Sequence, residues 1–243
     1  MSGFEREGEF LYDLDHTGEE ELILLCLNER GSGEFVFFDV GANRGDWTGY
    51  VMKNATMPVD GHLFEISRTM FERLEDNVGY YSSLTINNAG LSNEAGTLEF
   101  RRYPRAEGVN SFHVDTDFWD WQLESVVDTC VVTTGDAYCK AKGIEHIDLL
   151  KIDTEGWEWN VLHGFERMLT EHRVSVVQFE YGYLTPDLHV VMKDFFIYLN
   201  GLGYTVGPLS KDGVDFRPFI YRDNDFRPDA NYVAILPFEE RRT

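Results

Sequence analysis

A chain of 243 residues that is 43% hydrophobic and 26% charged carries enough apolar material for one α/β domain with a full core. Its net charge of −22 argues against a nucleic-acid-binding surface and against charge-driven attachment to anionic lipid. Few of the basic residues are Lys, a balance that suits either a high-salt habitat or simply a soluble acidic enzyme.

Cys26, Cys130 and Cys139 show no metal-ligand spacing and read as free thiols of a reducing compartment. The first residues, Met1-Ser-Gly-Phe-Glu-Arg-Glu-Gly8, lack an apolar signal region. The longest apolar run near them, Leu22 to Leu27, is too short to span a membrane. The expectation is a cytoplasmic protein with no membrane attachment.

Taken in chain order, Thr17-Gly-Glu-Glu ahead of Glu21–Leu27 predicts a capped helix, with Thr17 as N-cap and Glu20 three residues on. Glu34–Val40 reads as a strand and Asp46–Lys53 as a helix. A strand over His62–Ile66, a helix over Arg68–Asn77 and a strand over Leu84–Asn88 follow. Gly96–Arg102 alternates as one arm of a hairpin. Residues 103–125 are aromatic, acidic and irregular, the pattern of an inserted loop over a site. Then come a strand at Val126–Thr133, a helix at Asp136–Lys142, a buried strand at Ile147–Ile152, a helix at Trp157–Thr170 and a strand at Val174–Phe179. A helix at Leu188–Leu202 precedes closing strands at Tyr204–Val206 and Tyr232–Leu236. Such alternation predicts a doubly wound, mostly parallel sheet. With no repeat or linker in view, residues 1–243 read as a single domain with a helical lead-in over 1–33.

In such sheets ligands sit at the carboxyl ends of the strands. The first strand ends in Asp39-Val-Gly-Ala-Asn-Arg-Gly-Asp-Trp-Thr48, a glycine turn opening onto a helix. A dinucleotide fingerprint would place glycines at 41, 43 and 46, where this chain has Gly41, Asn43 and Asp46. Asp39 would repel a pyrophosphate and favour a ligand with a positive amino group, which points to S-adenosylmethionine (SAM). Glu65, at the end of the second strand and about 20 residues beyond the turn, suits hydrogen bonds to a ribose diol. The turn at Asn87-Asn-Ala-Gly-Leu-Ser92 either lets the backbone at Ala89 approach an adenine or is only a turn.

The fourth strand ends in Lys151-Ile-Asp153-Thr-Glu-Gly-Trp-Glu158, and Lys151 and Asp153 share a face by the period of two. They form either a structural ion pair or a functional group beside the cofactor. Glu180 ends the fifth strand at the same edge, so Asp153 and Glu180 are expected to converge, as ligands of a divalent metal or as base and orienting group. Glu155 and Glu158 read as helix-start acids. His146 and His163 read as structural, and the aromatic stretch Phe112 to Trp121 as core or lid packing.

These blocks together resemble the FkbM-type SAM-dependent methyltransferases. The resemblance rests on Asp39–Thr48, Phe64-Glu65, Asn88-Ala-Gly-Leu-Ser92, Asp148–Glu158 running into Val161-Leu-His-Gly164, and Phe179-Glu180, in family order from about residue 35 to 182. It implies a seven-stranded class I methyltransferase sheet of Rossmann-like type with one antiparallel strand. It also implies O-methylation of a hydroxyl on a sugar or natural-product acceptor. The candidate cofactor-binding residues are then Asp39, Gly41, Asn43, Gly45, Thr48, Glu65 and Ala89. Asp153, Lys151 and Glu180 are the candidate catalytic residues, with Asp153 and Glu180 as possible metal ligands. A SAM-fold binding protein without turnover is the alternative from another class.

Overall fold

The chain's alternation of strands and helices becomes a sheet covered on both faces. A computed structural model describes residues 17–105, 110–113, 124–182, 185–225 and 230–237. The first half runs α1 (Glu19–Arg30), β1 (Phe35–Val40), α2 (Asp46–Asn54), β2 (Val59–Phe64), α3 (Arg68–Val78) and β3 (Leu84–Asn87). A smaller unit follows: β4 (Gly90–Leu91), β5 (Gly96–Arg102) and β6 (Val126–Thr133). The second half runs α4 (Gly135–Lys142), β7 (Ile147–Ile152), α5 (Glu158–Gly164), α6 (Glu166–Thr170) and β8 (Val174–Glu180). It ends with α7 (Met192–Gly201), β9 (Thr205–Ser210), β10 (Gly213–Val214) and β11 (Asn231–Ile235).

The main sheet has strand order β10-β9-β11-β8-β7-β1-β2-β3. β1 is parallel to both β2 and β7, β2 to β3, and β7 to β8. β11 lies antiparallel between β8 and β9. The sheet therefore has eight strands rather than seven. The extra one is β10, a two-residue arm that hairpins back on β9 at the edge and is too short to show a periodicity. From β1 the chain winds outward through β2 and β3, then crosses to β7 on the other side. That reversal opens a crevice beyond the carboxyl ends of β1 and β7.

β1 and β7 are buried on both faces, which explains their near-continuous apolar runs. On one face Phe37, Leu149, Val176 and Val233 pack with Ile23 of α1, Trp47 and Val51 of α2 and Leu74 of α3. On the other, Phe38, Leu150, Val177 and Phe179 pack with Leu162, Phe165, Phe195 and Leu199. Each such side chain stabilises the fold by about 1.5–3 kcal/mol when fully buried.

Three local expectations change. Thr17 does not cap α1. Gly18 holds the N-cap position at φ 85°, and Thr17 Oγ1 donates to Glu19 Oε2 at 2.8 Å. A Cβ at Gly18 would lie 2.1 Å from the Ser210 carbonyl oxygen, so packing on β9 decides how the chain enters the helix. The predicted Trp157–Thr170 helix divides into α5 and α6 at Gly164–Phe165, where Gly164 presses against the Ser92 carbonyl. The helix predicted from Leu188 starts at Met192, after a 3-10 turn over Thr185–Leu188.

The hairpin expectation holds: β5 pairs antiparallel with β6 from Gly96↔Val132 to Arg102↔Val126. Of the insert, Ser111 exchanges backbone hydrogen bonds with Arg101, while 106–109 and 114–123 lie outside the described residues. Among the described residues no helix is long and apolar enough to cross a membrane.

Candidate active site

The turn after β1 is built by close approach. Gly41 and Ala42 both donate their N–H to the Phe64 carbonyl at 3.0 Å, tying the turn to the end of β2. Gly41 has φ 84°, and a Cβ there would lie 1.7 Å from the Asp153 carbonyl oxygen. Asp153 N–H in turn donates to the Val40 carbonyl at 2.9 Å. The glycine turn and Asp153 are thus adjoining walls of one crevice. Asn43 takes φ 49°, the left-handed conformation that a glycine would supply and that Asn tolerates better than most residues. Gly45 (φ 88°) opens α2, and its bare Cα makes room for Leu74 of α3.

Glu65 is gripped by this turn. Its Oε2 accepts the Asn43 N–H at 2.9 Å and its Oε1 accepts the Ser67 N–H at 2.7 Å. Each oxygen retains capacity for a further donor. Burial pushes the carboxyl up to about 7, against the pull of the two backbone N–H groups. Asn88 donates to the Glu65 and Ile66 carbonyls at 2.9 and 3.2 Å, which sets the half-buried Ala89 beside the same strand ends.

Asp39 and Thr48 are joined to each other beneath the turn. Both are fully enclosed, with Thr48 Oγ1 donating to Asp39 Oδ2 at 2.7 Å. Asp39 lies within β1 and beneath α2, so its carboxylate is held inside the protein. Lys151 Nζ lies 3.5 Å from Asp39 Oδ1 and 3.0 Å from Asp153 Oδ2. Burial alone would lower the Lys151 pKa. The carboxylates of Asp153, Asp39 and Glu19 more than offset it and raise the value, so the ammonium stays charged.

Asp153 and Glu180 do converge, and the structure adds a third acid. One oxygen each from Asp153, Glu155 and Glu180 lies within 4.8 Å of the others. Glu155, read from sequence as a helix-start acid, instead sits at φ 52° in the turn before α5. Glu158 does open α5, but it is fully buried and holds that turn together. Its Oε1 accepts from Thr154 N–H (2.8 Å), Thr154 Oγ1 (3.0 Å) and Gly156 N–H (3.1 Å). Burial pushes Glu158 up to about 7.

The foot of the insert is clipped to this turn. Ser111 Oγ donates to the Glu155 carbonyl at 2.6 Å, and His113 Nε2 pairs with the Gly156 carbonyl at 3.1 Å. Phe112 packs on Trp157, whose Nε1 donates to Ser92 Oγ at 3.1 Å. His163 bonds the Trp159 carbonyl, and His146 pairs with Ser175 and Asp148 away from the crevice.

Residues 39–206 match the family model described as Methyltransferase FkbM domain, more than half of the chain. The chain belongs to the FkbM methyltransferase family. It is similar to the hexuronic acid methyltransferase AglP of Haloferax volcanii, 24% identical over 181 residues that cover 74% of this chain and 70% of that one. Among solved structures it resembles the FkbM methyltransferase of Methylobacillus flagellatus, with a TM-score of 0.52 and 15% identity. That match covers 84% of this chain and 44% of the other, so the chain spans less than half the length of that protein, and the likeness shows the fold.

Glu19 and Asn231 lie outside the FkbM match yet reach the site's surroundings. Gln178 Nε2 donates to Glu19 Oε1 and, at 3.0 Å, to Asn231 Oδ1. The available signal was a Gln inside the apolar run of Val174–Phe179, since a buried amide requires partners.

Proposed function

We propose that this FkbM methyltransferase uses SAM to methylate a hydroxyl of a sugar-like small molecule. The observation that carries the reading is the packing of Gly41 on the Asp153 carbonyl, which sets a turn suited to SAM against a wall of three carboxylates. The Glu65 carboxylate, fixed by two backbone donors, receives the ribose diol, and the turn at Ala89 borders the adenine. Gly41, Asn43 and Gly45 let the backbone come close to the methionine part of the cofactor. Asp39 and Thr48 support the turn from beneath.

The acceptor oxygen attacks the SAM methyl carbon in line. The carbon–sulfur bond breaks, its electron pair stays on sulfur, and the sulfonium becomes a neutral thioether. The hydroxyl proton passes to a carboxylate, for which Asp153 is the first choice, with Glu180 and Glu155 orienting the acceptor and Lys151 holding Asp153 in place. Three carboxylate oxygens also suit a hard divalent cation, which when bound would make the acceptor hydroxyl more acidic. Similarity to a hexuronic acid methyltransferase supports uronic acids and their neutral sugar counterparts as first acceptors to try.

Incubation with SAM and such a panel should release S-adenosylhomocysteine (SAH) in step with an O-methylated acceptor. A chelator that silences turnover, restored by Mg²⁺, would assign the carboxylates to a metal; indifference to chelator would assign Asp153 as base. SAM binding without turnover across the panel would favour a regulatory protein. Absence of SAM binding would end the reading.

A further inference from the structure

Under the crevice one ammonium faces several carboxylates. Lys151 and Gln178 are register neighbours on β7 and β8, and Asp39 is the register neighbour of Lys151 on β1. Asp153 shares the Lys151 face two residues on. Above this row stands the first turn of α1, from which Glu19 bonds to Gln178 and acts electrostatically on both Lys151 and Asp153. Glu19, Asp39 and Lys151 are all buried, at 0%, 0% and 3% exposure. Burial raises the pKa of both Glu19 and Asp39, the direction expected where three carboxyls share one ammonium and the group is short of positive charge. Uncompensated buried charge is costly unless a cation arrives to offset it.

We propose that Glu19 is a positioning residue that gives the cofactor site a preference for cationic SAM over its neutral product SAH. The inference rests on the SAM reading above and adds to it a residue outside the FkbM match. SAM and SAH share adenosine and amino-acid groups and differ by the transferred methyl and the one positive charge it puts on sulfur. Excess negative charge behind Asp153 therefore favours the reactant and loosens its hold once the methyl group has left. Glu19 has no need to touch the cofactor. It acts through its charge and through Gln178, which keeps its carboxylate next to the Lys151 row.

The test is calorimetric titration of SAM and SAH at pH 8 into the wild-type protein, Glu19→Gln and Glu19→Asp. Glu19→Gln should cut the preference for SAM over SAH by about three- to tenfold, the scale of one charge acting on another across several ångströms of protein. SAH affinity should stay within about twofold of wild type, which also reports an intact pocket, and Glu19→Asp should restore most of the preference. An unchanged ratio in a Glu19→Gln protein that binds SAH normally would overturn the inference and leave the SAM reading standing. If Glu19→Gln does not fold, the wild type decides. Sinefungin, with a protonated amine in place of the methylsulfonium, should bind more tightly than SAH. Equal binding of the two would overturn the charge preference. Failure of the wild type to bind either SAM or SAH would remove the SAM reading and this inference together.

Discussion

The two sides of the crevice are held by different forces. On the β1–β2 side the key carboxylate, Glu65, is fixed by backbone N–H groups of Asn43 and Ser67, and the turn itself is fixed by the Phe64 carbonyl. On the β7–β8 side Asp153 is held through its side chain by Lys151, which is shared with Asp39 and surrounded by further acids. Backbone contacts keep their donors after most substitutions. A charge network depends on every member. The first side should therefore tolerate change in its side chains with local loss of affinity, and the second should respond as a unit.

The largest expected effect tests the chemistry of the second side. Asp153→Asn keeps the shape but neither accepts a proton at neutral pH nor ligates a metal well. Turnover should fall by about 100- to 10,000-fold, with SAM affinity within a few-fold, as read by initial rates and calorimetry. A folded Asp153→Asn protein with near-normal turnover would leave Lys151–Asp153 as a structural ion pair and place the base elsewhere.

Next comes the network itself. Lys151→Met fills the same space but leaves Asp39 buried without a counter-charge. Removal of one partner of a buried pair typically costs about 3–5 kcal/mol, so the urea midpoint should drop strongly. The double variant Lys151→Met with Asp39→Asn should recover part of the loss, because the stranded charge is gone. Independent, additive effects of the two substitutions would show that the two sides are not coupled through Lys151.

The contrast also explains what was legible in the sequence. β5 and β7 match their expected limits, and the Gly41–Gly45 turn and Glu65 lie where the motif spacing places them, because their contacts are local to strand ends. The convergence of Asp153 with Glu180 followed from two neighbouring strands ending at one edge. Glu155, Glu158 and Glu19 were harder. Glu155 and Glu158 read as ordinary helix-start acids and Glu19 carries no signal of its own, and only packing shows Glu158 folded back on Thr154 and Gly156 and Glu19 bonded to Gln178 across 159 residues. The position of Asp39 before the glycines was visible in the sequence, whereas the cover provided by Thr48 and α2 was not. The break at Gly164 escaped for the same reason, since it depends on the distant Ser92 carbonyl, whereas β10 escaped because a two-residue arm shows no periodicity.

The smallest expected effect concerns the first side and is a matter of pH. Glu65 lies at about 7 in the folded protein, raised by burial from 4.5. The folded state therefore holds this proton more tightly than the unfolded chain does. Its contribution to stability is complete below about 4.5 and is lost as pH rises to about 7; a shift of that size corresponds to at most about 3 kcal/mol. Glu158, also at about 7, acts in the same direction. His62 and His146, whose protonation burial disfavours, act in the opposite direction below about 6.5, so the wild-type profile alone mixes the terms. The comparison with Glu65→Gln separates them. Gln cannot titrate, so the difference in unfolding free energy between the two proteins should change between pH 5 and pH 8 and be flat above pH 8. In the wild type the wild-type-minus-variant term should decline with rising pH. SAM affinity should respond to pH in the opposite direction. A ribose diol donates to the ionised carboxylate, so SAM affinity should rise through pH 7 in the wild type and stay level in Glu65→Gln. Parallel pH profiles of the two proteins, with and without SAM, would show that Glu65 is neither perturbed by its burial nor engaged by the cofactor, and the backbone grip of Asn43 and Ser67 would then serve the fold alone.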